Sequence, residues 1–190
     1  MIARTTAPRS LLPAVTCARI LAVPAVMALI LSGPNHGSAY TAALVVFAVA
    51  ASTDFVDGYL ARRWAVTTKL GSFLDTTADK LLVTGALIAL VDVGRASAWI
   101  ATIIIGRELL ILGLRGVVAA DGTVFPPSIW GKLKTNIQFL AIFLAIVHVG
   151  GPIGPLRLDE WAMVAAAAIT VVSAAEYLAR FSSSLSERVR

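Results

Sequence analysis

The sequence predicts an all-α polytopic membrane protein of six transmembrane helices. Three observations carry this. Of 190 residues, 58% are hydrophobic and only 14% are charged, where a soluble domain would carry about a quarter. Mean hydropathy is +0.84. Apolar runs of spanning length recur along the chain, separated by Gly/Pro/Ser clusters or basic segments. The single cysteine, Cys17, excludes an intrachain disulfide framework and is expected to be a small buried side chain. A net charge of +5 in such a chain points to topology and anionic lipid, not to nucleic acid. Residues 1–190 read as one membrane domain, with a polar lead-in over 1–10 and a basic tail over 180–190.

The first span covers about residues 11–31, with Pro13 suited to its first turn. Arg19 lies two turns in, too deep for lipid, so it faces the interior or snorkels to the surface. It also interrupts any signal-peptide core. Residues 32–38 form a turn cluster in which His36 is a solvated loop residue. The second span, 40–61, carries Asp54 and Asp57 in its last turns. After a basic loop, the third span, 71–91, carries Asp75 and Asp79 in its first turns. The fourth, 98–118, holds Arg107, Glu108 and Arg115, with Glu108 a candidate partner for an arginine. The fifth, 132–149, opens with Lys132 and Lys134 and ends near His148, read as interfacial. A turn over 150–155 precedes the alanine-rich sixth span, 158–179, where Glu176 reads as a paired or solvated helix end.

Six spans put both termini on one side. Ten Lys and Arg fall there, from Arg4 and Arg9 through Arg62, Arg63, Lys69, Lys132 and Lys134 to Arg180, Arg188 and Arg190, against Arg95 and Arg157 opposite. The termini, and the aspartates with them, are therefore expected on the cytoplasmic side of the cell membrane.

Asp54 and Asp57 are three residues apart and Asp75 and Asp79 four, so each pair shares a helix face. Two such helices joined by a short loop can converge on one site. Four carboxylates repel one another and are costly to ionise at membrane depth. A hard divalent cation resolves this, and magnesium keeps positions open for phosphate. Gly58 and Ala61 clear the carboxylate face for a flat group, Gly71 lets the second helix come close, and Arg62 is a planar fork suited to phosphate. The residue types point to a magnesium-dependent site for a phosphate ester.

The spacing Asp54-x2-Asp57-Gly58-x2-Ala61-Arg62-x8-Gly71-x3-Asp75-x3-Asp79 resembles the signature of the CDP-alcohol phosphotransferases, without a gap. The resemblance implies Asp54, Asp57, Asp75 and Asp79 as metal ligands, with Asp79 as general base. It implies that a CDP-diacylglycerol donor lies along Asp54, Gly58, Ala61 and Gly71, with Arg62 and Thr68 on its phosphates and Pro13 to Thr16 at the nucleotide end. It implies magnesium, with manganese as a substitute, and a homodimer in membrane lipid.

Arg107-Glu108-Leu-x3-Gly113-Leu-Arg115, Gly131-Lys132-x-Lys134-Thr135-x2-Gln138 and Leu12-Pro13-x2-Thr16-x2-Arg19 look like the bacterial phosphatidylglycerophosphate synthases. That resemblance implies glycerol 3-phosphate as acceptor, with phosphatidylglycerophosphate and CMP as products. The charges agree, since Arg107, Arg115, Lys132 and Lys134 would cradle a dianion. Leu11, Ala14 and Thr76 stand where that group is expected to have Asn, Asn and Pro, and none of these removes a ligand. The alternatives are the same chemistry on phosphatidylglycerol (a cardiolipin synthase) or on inositol phosphate, and, more distantly, a divalent-cation transporter.

Overall fold

The computed structural model describes residues 11–64, 69–120, 129–148 and 151–188. Six α-helices account for nearly all of them: α1 Leu11–Ser32, α2 Gly37–Trp64, α3 Lys69–Asp92, α4 Ala98–Ala120, α5 Ile129–Val147 and α6 Leu158–Arg188. Each expected span therefore lies within a helix or within two residues of one. The one addition is a small antiparallel hairpin, β1 Pro152–Ile153 with β2 Leu156–Arg157, pairing Pro152 with Arg157 and Ile153 with Leu156. Its two-residue turn begins at Gly154, whose φ of +70° suits a residue without Cβ.

The chain divides into two compact units, Met1–Val93 and Gly94–Arg190. In the first, α1 packs along both α2 and α3, while α2 and α3 meet at few points. The buried face of α1 runs through Thr16, Arg19, Val26 and Ile30, meeting Ala43, Phe47 and Ala50 of α2 and Leu82, Ala86 and Leu90 of α3. Small residues, Ala43 and Ala50 of α2 and Ala86 of α3, lie in these interfaces. Gly85 is one such point: a Cβ there would sit 2.8 Å from Val23 Cγ1. Pro24 lies inside α1, yet the helix continues through it. Cys17 is exposed, not buried as expected. The buried stripe passes through positions 16 and 19 and turns position 17 outward.

In the second unit, α6 packs against α4 and α5. Ala101, Ile104, Ile111 and Val118 of α4 are buried at helical spacing, as are Ala141, Ile142, Ala145 and Ile146 of α5 and Met163, Ala166 and Ala167 of α6. At one end His148 closes α5 with a φ of 58°, and its Nδ1 lies 2.8 Å from Oδ2 of the buried Asp159 in the first turn of α6. Arg157 donates to the His148 carbonyl and lies 3.5 Å from Asp159 Oδ1, so the hairpin is clasped to both helices. Glu176 pairs with Arg180 one turn on, as its position suggested.

The outward faces of these helices are apolar as well: Leu21, Val45, Val49, Leu109, Leu140 and Val171 are all exposed. Exposed apolar patches of that size are uncommon on a monomeric soluble protein. Among the described residues, Leu158–Ser183 of α6 is long and apolar enough to cross a membrane, while Thr16–Ser32, Gly37–Thr53 and Leu133–Val147 are shorter apolar stretches. Ionic groups interrupt the rest, Asp75, Asp79 and Lys80 on α3 and Arg107, Glu108 and Arg115 on α4.

Candidate active site

The first unit carries the carboxylates. Asp54 and Asp57 ride on the C-terminal turns of α2 and Asp75 and Asp79 on the N-terminal half of α3, with only residues 65–68 between the two helices. Both helices are continuous through these positions, so each pair shares a face. Thr68 lies outside the described residues, as do the side chains of Pro13, Asp54, Asp57, Ala61, Arg62 and Asp75 and the surroundings of Gly58 and Gly71. Asp79 is half-buried, and its Oδ1 is sealed from solvent. Thr16, expected at the donor's nucleotide end, is buried on α1.

Arg19, left between two fates by the sequence, is 2% exposed and faces the protein interior. Its Nη2 donates to Thr53 Oγ1 at 3.3 Å, and Thr53 in turn donates to the Ala50 carbonyl at 2.7 Å. Thr53 immediately precedes Asp54. A permanent cation is thus fixed beside the start of the carboxylate segment, in a chain where an unpaired charge would be costly. Arg19 and Thr53 also form the polar end of an apolar groove of about 240 Å³ between α1 and α2, walled by Ala18, Ala22, Val45, Val46, Val49 and Ala50.

A divalent cation would need hard oxygen donors with opposing charge nearby, and four carboxylates on consecutive helices are the donor type it takes. Among the described side chains no group of three or more carboxylate, imidazole or thiol ligands gathers.

The second unit carries the cations. Glu108, buried on α4, accepts from Lys134 Nζ of α5 through Oε1, which also lies 3.3 Å from Arg107 Nη1. Arg107 Nη2 donates to Ser173 Oγ of α6 at 2.8 Å. One turn along α5, buried Gln138 donates to Thr170 Oγ1 at 2.8 Å. Arg115 stands over the Tyr177 ring, 5.8 Å from its centroid. Of the four expected acceptor-phosphate residues, the structure brings Arg107 and Lys134 to one carboxylate and places Arg115 two turns along α4; the Lys132 side chain lies outside the described residues. Ser173, Thr170 and Tyr177 have no counterpart in the sequence-based site. Their shared signal was a polar stripe at spacings of three and four on an otherwise alanine-rich helix.

The chain matches the CDP-alcohol phosphatidyltransferase family over residues 11–172. It belongs to that family. The chain is accordingly an enzyme of the transferase class, in a membrane-associated family that works with a divalent metal. Three relatives are each named as a CDP-diacylglycerol–glycerol-3-phosphate 3-phosphatidyltransferase. The Bacillus subtilis protein is 38% identical over 182 residues, covering 87% of this chain and 92% of its own. The Pseudomonas fluorescens protein is 40% identical over 140 residues, 70% of each chain. The Rickettsia typhi protein is 33% identical over 165 residues, covering 85% of this chain and 91% of its own.

Proposed function

We propose that the protein transfers the phosphatidyl group of CDP-diacylglycerol to sn-glycerol 3-phosphate, giving phosphatidylglycerophosphate and CMP in phospholipid biosynthesis. The observation that carries this is the complete Asp54–Asp79 signature on two consecutive helices, in a chain 38% identical to a named transferase of that specificity. The acceptor is supported by the buried cluster of Arg107 and Lys134, since a phosphomonoester dianion calls for guanidinium and ammonium donors. An acceptor without phosphate would not call for two cations beside a single carboxylate.

In the reaction a hydroxyl oxygen of the acceptor attacks the phosphorus that bears the diacylglycerol. A new P–O bond forms there, the pyrophosphate P–O bond breaks, and CMP leaves with the electron pair. The hydroxyl proton passes to the Asp79 carboxylate, because an alcohol is a weak nucleophile at neutral pH. Arg62 and Thr68 hold the donor phosphates, Pro13 and Thr16 bound the nucleotide end, and Gly58, Ala61 and Gly71 give it backbone room. Magnesium, with manganese as substitute, would be held by Asp54, Asp57, Asp75 and Asp79 and would offset phosphate charge in the transition state. The whole chain works as one domain of six spans, termini and aspartates on the cytoplasmic side of the cell membrane, as a homodimer.

The test is CMP release by the purified protein with CDP-diacylglycerol and magnesium, comparing glycerol 3-phosphate, phosphatidylglycerol, inositol 1-phosphate, inositol and serine. Turnover with glycerol 3-phosphate alone is expected, lowered by about 10²–10⁴-fold in Asp79→Asn. Turnover with another acceptor alone refutes the assignment of the cations; none at all, in folded protein, refutes the transferase and makes transport the next assay.

A further inference from the structure

Glu108 stands among groups of opposite charge. Its side chain is 5% exposed, and so is that of Lys134, which donates to Glu108 Oε1. The same oxygen lies 3.3 Å from Nη1 of Arg107, whose side chain is 11% exposed. Arg107 reaches the third helix of the unit through Nη2 and Ser173 Oγ, 2.8 Å away. One carboxylate oxygen therefore ties α5 to α4, and the arginine it touches ties α4 to α6.

A purely structural ion pair needs one cation per carboxylate, and burying even that pair is no better for stability than apolar packing of the same volume. Here two cations share one oxygen. The three side chains sum to one positive charge, the sign that an anion would meet. Lysine is a compact charge on a four-carbon stem with three rotatable donors, so its position is undefined unless something fixes it. Arginine is a rigid fork, and its aim is set by whichever nitrogens are already engaged. With Nη1 on Glu108 and Nη2 on Ser173, the guanidinium plane of Arg107 is defined relative to the Lys134 ammonium.

We propose that Glu108 is the positioning residue of the acceptor subsite: it fixes Lys134 and Arg107 relative to one another, and so sets the spacing at which this unit receives a phosphomonoester dianion. The inference rests on the reading that the acceptor is a phosphorylated alcohol, and it adds a residue whose own charge is of the wrong sign to touch that acceptor. Discrimination against unphosphorylated alcohols then comes from geometry as well as from net charge.

The experiment uses the full chain in detergent or lipid. Steady-state CMP release is measured with glycerol 3-phosphate and CDP-diacylglycerol varied in turn, beside equilibrium binding of radiolabelled glycerol 3-phosphate and thermal unfolding. For Glu108→Gln the expected result is a rise of about tenfold or more in KM and Kd for glycerol 3-phosphate, the loss of a charge-assisted contact. The fall in kcat is smaller and KM for CDP-diacylglycerol stays the same. An unchanged or lower KM for glycerol 3-phosphate overturns the proposal, because added positive charge would then help the acceptor. Equal loss toward both substrates, tracking the folded fraction, overturns it too. Should Glu108→Gln not fold, Glu108→Asp keeps the charge and shortens the reach: raised KM supports positioning, and wild-type KM reduces Glu108 to a counter-charge. If wild-type protein uses a different acceptor, or none, the functional reading fails first and this one falls with it, an outcome visible before any variant is made.

Discussion

Replacing Gly85 with alanine sets two effects of opposite sign against each other. In a helix interior the change gains about 0.5–1 kcal/mol of propensity. Against this, the new Cβ would stand 2.8 Å from Val23 Cγ1, 3.0 Å from Met27 Sδ and 3.3 Å from Met27 Cγ, where carbon pairs prefer about 3.5–4.0 Å. Methionine has three rotatable bonds and can swing aside. Valine in a helix is held to one rotamer, so relief at Val23 requires α1 itself to move by about 0.7 Å or more to reach normal contact. Overpacking of that kind costs about 1–3 kcal/mol, and the net expectation is a loss of up to about 2.5 kcal/mol. Arg19 lies one turn before Val23 and is tied to Thr53, so CMP release should fall as well. Unfolding of Gly85→Ala in a fixed detergent measures the loss, and Val23→Ala in the same chain should recover it through a favourable coupling of about 0.5–3 kcal/mol. A Gly85→Ala protein more stable than wild type, or a coupling of zero, would refute the reasoning.

Lys134→Met removes one of the two cations on the buried Glu108 and leaves it to Arg107; a stability loss of about 1–3 kcal/mol is expected in unfolding measurements. Asp159→Asn weakens the clasp of His148 and Arg157 on α6; a stability loss of about 1–3 kcal/mol is expected, with KM for glycerol 3-phosphate unmoved in the CMP assay. Asp79→Asn should lower CMP release by about 10²–10⁴-fold, the usual contribution of a general base, while the unfolding temperature stays near that of wild type.

The helices were legible because long apolar runs bounded by Gly, Pro and charge leave little choice of secondary structure. So was the pairing of Glu108 with an arginine, since an acidic residue beside a basic one in an apolar run has few other ways to be satisfied. Other features were hidden for identifiable reasons. Cys17 and Arg19 sit two positions apart in one apolar run, and only the packing of α1 decides which of the two turns inward. The strands Pro152–Ile153 and Leu156–Arg157 are too short to show any alternation. Thr170 illustrates the hardest case. Its hydroxyl donates to the Ala166 carbonyl of its own helix and also accepts from Gln138, and a sequence cannot tell a hydroxyl that bonds only backward from one that also reaches a neighbour. At the carboxylate site the spacing was fully legible, because helical periodicity needs only residue numbers.

The polar stripe of α6 bears on how that helix knows its place. Lipid tails are as apolar as leucine, so an alanine-rich cylinder among them gains little by presenting one side over another. Slide α6 by one residue and it turns by about 100°, with much the same apolar surface offered to its neighbours. The bonds from Gln138 to Thr170 and from Arg107 to Ser173 do not survive that slide. They act as two pins on a smooth shaft, and rotation about the helix axis is encoded in a pair of hydroxyls and not in the bulk of the helix.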